Sequence, residues 1–235
     1  MSSESDKRAA AQAAAALVED GMKVGLGTGS TAGYLIAGLG ERMAEGGLSG
    51  ARFVATSFGT ELLAREWRLP LRQLNDADID GALDIAIDGA DEIGPGWELV
   101  KGGGGALLGE KIVFSAAERV VIIADGSKRV ARVGERAPIP LEVVPAARLT
   151  VSAKLESLGF DVTLRAAERK SGPVVTDHGN LLLDIRTTEP IDAVALERDL
   201  CAIPGVVECG IVVDVATDVI VAEDGAVTHS TQPGE

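Results

Sequence analysis

Up to about residue 130, short apolar runs alternate with longer stretches whose apolar positions recur at helical spacing. The runs KVGL (23–26), RFVA (52–55), LDIAI (83–87) and RVVIIA (119–124) have the length and branched composition of buried strands. Between them the spacing predicts helices. One starts near Thr31, and another follows Ser57, which can cap it, and carries Leu62, Leu63 and Trp67. The N-terminal stretch is polar, then Ala-rich with acids at its end, and reads as an amphipathic helix stopped by Gly21. Strands alternating with helices in this way predict a Rossmann-like parallel sheet flanked by helices.

Pro138 and Pro140 mark a change of pattern. Beyond them the order is strand (141–144), helix (146–158), strand (160–164), strand (181–185), helix (191–202) and strand (206–213). That βαββαβ order predicts a smaller ferredoxin-like α+β domain. Ile203-Pro204-Gly205 reads as the turn before its last strand, and 219–222 with 226–228 reads as a hairpin around Asp224-Gly225 that returns to the first domain. The expected division is an α/β domain over 1–132 and 212–235, and a ferredoxin-like domain over 133–211. At 235 residues the chain has ample length for both cores.

Composition narrows the function. The net charge of −14 and the absence of a basic stripe argue against a nucleic-acid partner. No stretch reaches the roughly 18 uninterrupted apolar residues that would cross a membrane. The N-terminus lacks the basic start and cleavage site of a secretory signal, so a cytoplasmic protein is expected. The acidic surface suits a salty cytoplasm and ordinary solubility equally well. Cys201 and Cys209 have neither zinc-type spacing nor a disulfide framework, and two buried free thiols are expected.

The chemistry gathers where strands end. GTGST (27–31), TSFGTE (56–61), DGADE (88–92) and DGSK (125–128) each follow a predicted strand, the edge at which open α/β sheets bind ligands. The most informative run is KGGGGALLGEK (101–111). Gly102 to Gly105 lack a Cβ, so their backbone N–H groups can approach a ligand closely. The helix that follows has an anion-attracting N-terminus, with Glu110 in its first turn between Lys101 and Lys111. Lysine is rarer than arginine, yet Lys101, Lys111 and Lys128 all fall in these loops. A small anion is the ligand that such a placement fits.

Together with GLGTGST (25–31), these segments in this order resemble the type A ribose-5-phosphate isomerase family. The resemblance extends to IPLEVVP (139–145), VVTDHGNLLLD (174–184) and IPGVVECG (203–210), and so covers nearly the whole chain. Leu108 and Gly109 depart from the polar and basic residues frequent in the family, and Gly126 from a frequent alanine. The resemblance implies an aldose–ketose isomerase that interconverts ribose 5-phosphate and ribulose 5-phosphate without metal or organic cofactor, with a sugar phosphate as its partner and a homodimer or homotetramer as its assembly. It implies that the first domain is catalytic and that Glu110 is the proton acceptor. Asp88 and Asp91 would contact sugar hydroxyls and assist ring opening, and Lys101 would stabilise negative charge. Thr28, Gly29, Ser30, Thr31, Gly89, Ala90, Gly102, Gly103, Gly104 and Lys128 would line the substrate site. Which loop takes the phosphate stays open at this point.

Each residue also has a plainer reading. Glu110 could be a solvated first-turn carboxylate, Asp88 and Asp91 could cap turns or hold magnesium, and Lys128 could cap a loop. Ser57 and Thr60 read as structural caps. A dinucleotide fold is disfavoured because Ser30 stands at the third glycine of GxGxxG, and no GxxxxGK[ST] of a P-loop occurs. A non-catalytic sugar-phosphate-binding module remains the competing class; it would need the anion loops but not the acids together.

Overall fold

The computed structural model describes residues 3–232. In chain order come α1 (Ser3–Ala15), β1 (Lys23–Leu26), α2 (Ser30–Ala44), β2 (Arg52–Ala55), α3 (Phe58–Glu66), β3 (Leu71–Arg72) and β4 (Leu83–Asp88). Two short strands, β5 (Glu92–Ile93) and β6 (Leu99–Val100), lead to α4 (Leu107–Ser115) and β7 (Ala117–Asp125). Then follow β8 (Ile139–Val143), α5 (Arg148–Ser157), β9 (Asp161–Leu164) and β10 (Leu181–Arg186). The remaining elements are α6 (Ala193–Cys201), β11 (Val206–Cys209), β12 (Ile211–Val212), β13 (Asp218–Glu223) and β14 (Ala226–Thr231).

Contacts divide the chain into two compact units. Unit 1 is made of the described parts of Met1–Ala90, Gly109–Lys128 and Val215–Glu235, and unit 2 of Asp91–Leu108 and Arg129–Asp214. Unit 2 thus includes a stretch, Asp91–Leu108, that the sequence boundary at 132 leaves with the parallel sheet. The segments 1–2 and 233–235 of the expected first domain lie outside the described residues.

Unit 1 is a seven-stranded sheet in the order β14-β13-β7-β4-β1-β2-β3, parallel except for the antiparallel edge strand β14. Its central strands are buried on both faces, which is why they read as continuous apolar runs. The alanines of α1 explain its place: Ala10, Ala11 and Ala14 are fully buried, and the helix packs on α2, β7 and β13. The Asp224-Gly225 hairpin forms as expected, both residues taking the positive φ that a tight strand connection favours. Because β1, β2, β4 and β7 run parallel, the loops at 27–29, 56–57, 89–90 and 126–128 leave the same edge of the sheet.

The hairpin is clasped by charge. Arg119 donates from Nε to Asp218 Oδ2 at 2.8 Å and from Nη2 to Oδ1 at 2.6 Å, and His229 Nε2 lies 2.6 Å from the same Oδ1. Burial pushes the Asp218 carboxyl up, but Arg119, His229 and Thr217 outweigh it and hold the group well below the ordinary carboxylate range. A depressed folded-state pKa adds stability above the unfolded value, about pH 4, that fades as pH falls through the folded one. Asp218→Asn should therefore lower stability at neutral pH by about 2 kcal/mol and flatten the acid limb of a urea-midpoint profile. An unchanged acid limb would mean the clasp carries no pH dependence.

Unit 2 holds a four-stranded antiparallel sheet in the order β11-β8-β10-β9, with α5 packed on β9 and β10 and α6 on β11. This is the strand order of the ferredoxin-like arrangement. The strand expected over 206–213 is broken: β11 belongs to this sheet, while β12 joins β6 and β5 in a separate three-stranded one. Gly210 is the break, because a Cβ there would lie 2.4 Å from the carbonyl oxygen of Lys101 and 2.5 Å from Pro140 Cδ. The helix expected over 146–158 begins as a 3₁₀ turn, Pro145–Ala147, before α5 proper. The expectation of two buried thiols is also corrected: Cys209 is buried, whereas Cys201 is exposed.

Candidate active site

Within unit 1, β1 and β4 are neighbours in register, Leu26 opposite Ile87, so the loops that follow them start together. Asp88 ends β4 and is fully buried. Its Oδ1 accepts the N–H of Thr28 at 3.0 Å and of Gly89 at 2.6 Å, two charge-assisted bonds that fix the carboxylate's direction. Gly27 makes this approach possible, since a Cβ there would lie 2.0 Å from Asp88 Oδ1. Thr28 Oγ1 lies 2.8 Å from both Thr56 Oγ1 and Ser57 Oγ and 3.0 Å from Thr60 Oγ1; Thr60 Oγ1 in turn donates to the Gly27 carbonyl at 2.8 Å. The backbone N–H and the hydroxyl of Thr28 are therefore both engaged inside the unit. Ser57 caps α3 as expected, accepting the Thr60 N–H at 3.1 Å.

The same loop opens α2. Gly29 is its N-cap with φ 115°, a backbone conformation that side chains rarely adopt, and no side chain caps the helix. Gly29 and Ser30 are exposed and Thr31 is buried. The N-terminus of a 15-residue helix is thus presented without a competing side-chain acceptor, the arrangement that draws anions.

Glu110 sits in the first turn of α4 and is only 4 % exposed, which overturns the solvated reading of this carboxylate. Val113, one turn on and on the same helical face, fills the space above Gly25, where a Cβ would meet Val113 Cγ1 at 2.4 Å. That contact sets α4 against β1 and fixes the direction of the Glu110 face. Gly89 and Ala90 are half-buried at the end of β4, and Lys128 is half-buried in the turn Gly126–Lys128 after β7. Burial raises the Asp125 carboxyl, but bonds from Ser127 and Ser3 and the charge of Lys128 bring it below its ordinary value.

Unit 2 holds the remaining candidates. Lys101 is 3 % exposed, and its N–H donates to the Gly210 carbonyl at 2.8 Å. Asp91 donates its N–H to Val100 O at 2.8 Å and accepts the Gly103 N–H on Oδ2 at 2.7 Å. A ligand seeking the Gly103 amide would therefore compete with Asp91. Gly102 adopts φ +98° and packs so closely that a Cβ would clash with Leu107 and crowd Pro140, whereas Gly103 and Gly104 are exposed.

Sequence reading missed Arg165. Its Nη1 donates to the carbonyls of Gly102 (2.9 Å) and Gly103 (3.2 Å), while Nε donates to Asp184 Oδ2 at 2.8 Å. One guanidinium thus ties the glycine run to β10. No local spacing links residue 165 to residue 102, so no sequence signal could have found it. Arg165→Met should reduce kcat/KM by roughly one to two decades, the cost of losing bonds to a charged donor, with Arg165→Lys recovering only part because it lacks the fork. Steady-state kinetics beside melting curves would check this; unaltered kinetics would make Arg165 purely structural. Glu92 was also missed. It is buried and accepts the N–H groups of Gly134 (2.5 Å), Arg136 (2.7 Å) and Ala137 (2.6 Å), ordering the segment that leads into β8.

Residues 52–225 match the family profile of ribose 5-phosphate isomerase A (phosphoriboisomerase A). The chain is 48 % identical over 226 residues to ribose-5-phosphate isomerase A of Synechococcus sp. (strain WH7803), covering 95 % of this chain and 94 % of that one. The Haloarcula marismortui enzyme of the same name is 47 % identical over 229 residues, covering 97 % and 96 %. A solved D-ribose-5-phosphate isomerase in complex with phospho-erythronic acid superposes with a TM-score of 0.95 at 38 % identity, covering 99 % of this chain and all of that one.

Proposed function

The chain belongs to the ribose 5-phosphate isomerase A family, and from that premise we propose how its own residues interconvert D-ribose 5-phosphate and D-ribulose 5-phosphate. The reaction moves a proton between C2 and C1 through an ene-diolate, so it needs a base, a means of stabilising negative charge and a grip on phosphate. Glu110 is the base: it takes the C2 proton of the aldose and returns it to C1. The observation that carries this assignment is its burial in the first turn of α4, held in direction by Val113 against Gly25. The two histidines, His178 and His229, lie outside all the loops singled out, which leaves the role to a carboxylate.

Asp88 and Asp91 contact sugar hydroxyls and move protons during ring opening. Their anchoring by backbone N–H donors leaves each carboxylate with fixed orientation, the preorganisation such a role requires. Lys101 and the backbone of Gly102 and Gly104 stabilise the developing oxyanion, while the Gly103 amide holds Asp91. The uncapped N-terminus of α2 is the phosphate grip, with Gly29 and Ser30 exposed between Thr28 and Thr31, and with Lys128 as an added cation. Gly89 and Ala90 complete the substrate lining.

The identity with isomerases over nearly the full chain sets aside a non-catalytic sugar-phosphate-binding module. No helix among the described residues is long and apolar enough to cross a membrane. A cytoplasmic location, assembly as a homodimer or homotetramer, and turnover without metal or organic cofactor belong to the same proposal. Exhaustively chelated protein given ribose 5-phosphate should form ribulose 5-phosphate at the rate of untreated protein. Loss on chelation with recovery in magnesium would restore the metal reading of Asp88 and Asp91, and light scattering would read the assembly directly.

A further inference from the structure

The end of α6 and the end of β11 bring together two cysteines and a carboxylate that the isomerase chemistry does not use. Cys201 Sγ lies 3.8 Å from Cys209 Sγ and 3.1 Å from Glu208 Oε1, and one ligand atom from each residue falls within 4.8 Å of the others. Glu208 Oε1 also accepts the Cys209 N–H at 2.9 Å, which turns the carboxylate toward the sulfurs.

The distances discriminate between chemistries. A disulfide needs its sulfurs about 2.05 Å apart, so this pair would have to close by well over an ångström. A tetrahedral zinc-class ion with metal–sulfur bonds near 2.3 Å holds its two sulfurs about 3.8 Å apart, the separation already present. The carboxylate oxygen lies 3.1 Å from Cys201 Sγ, within a few tenths of an ångström of the roughly 3.5 Å expected from a sulfur in such a site. We infer that Cys201, Cys209 and Glu208 form a three-ligand site for a thiophilic divalent cation of the zinc class, with water in the fourth position on the exposed Cys201 side.

The electrostatics agree. The hydrogen bond to Cys209, then burial and the Glu208 charge, push the Cys201 thiol far above its ordinary range. A thiolate at Cys201 would stack negative charge beside the Glu208 carboxylate 3.1 Å away. A divalent cation removes that penalty and must expel two protons to bind. The site also has a structural neighbour of consequence. Gly210, next to Cys209, accepts the Lys101 N–H at 2.8 Å and donates its own to Pro140 O at 2.7 Å.

Cobalt(II) tests this directly on the reduced, chelator-stripped full chain. One cobalt per chain should bind with thiolate-to-metal charge-transfer absorption and tetrahedral d–d bands, both erased when zinc displaces it. Apparent affinity should tighten about 100-fold per pH unit below the thiol pKa values, the signature of two released protons. Cys201→Ala, at an exposed position and so expected to fold, should abolish the charge-transfer band, and Glu208→Gln should weaken binding while keeping a thiolate band. Absence of charge-transfer absorption in the wild type, its persistence in Cys201→Ala, or affinity independent of pH would each overturn the site.

Discussion

Glu110→Gln should fold normally, bind a non-reacting pentonate phosphate as tightly as wild type, and turn over at least 10²–10⁴-fold more slowly, the usual worth of a general base. The amide keeps the size of the carboxylate and its packing in the first turn of α4 but cannot accept a proton. Wild-type turnover in heavy water should place deuterium on C1 of ribulose 5-phosphate, less any proton passed internally. The mutant should be nearly silent in both turnover and exchange. Turnover close to wild type would strip Glu110 of the role and make Asp88 or Asp91 the next candidate.

The second large effect is predicted at a residue with no reactive group. Gly27→Ala places a methyl 2.0 Å from Asp88 Oδ1 and 2.5 Å from Asp88 Cβ, and Asp88 is fully buried at the end of a central strand. The clash is with a short side chain that cannot swing away, so the loop, the carboxylate or both must shift. Overpacking of this kind costs about 1–3 kcal/mol of stability, and misplacing a positioned group by about an ångström costs about 100-fold in rate. Kinetics at a temperature where the variant is fully folded would separate the two costs. A folded Gly27→Ala enzyme with wild-type kcat/KM would mean that the bond from Thr28 N–H to Asp88 is irrelevant to turnover.

How much of this was legible in the sequence depended on range. The strands at Lys23–Leu26 and Arg52–Ala55 have the bounds expected, because each is an apolar run closed by glycine or a cap within a few residues. Ser57 was readable as a cap for the same reason. The three-stranded sheet was not readable, since strands of two residues have no period to detect and pair only through contacts between residues near 93, 100 and 211. The break at Gly210 was hidden because the segment VVECGIVV (206–213) does not say which backbone will press against its glycine. Arg165 and Glu92 act on backbone groups some 40 to 60 positions away, and the cysteine pair depends on how α6 packs on β11. Motif residues could be named from sequence, whereas the residues that hold them in place could not.

The C-terminal hairpin has a consequence for biosynthesis. β13 pairs with β7 along its outer half, Asp218 opposite Val121 through Ala222 opposite Asp125. On a growing chain, β7 emerges long before its partner does. Until β13 arrives, the strand carrying Val121, Ile122 and Ile123 has an open edge of unpaired N–H and C=O groups beside an apolar surface, the kind of edge that recruits other chains. All of unit 2 from Arg129 to Asp214 is synthesised during that interval. Between the emergence of β7 and that of the hairpin, this edge of the nascent chain is open to mispairing.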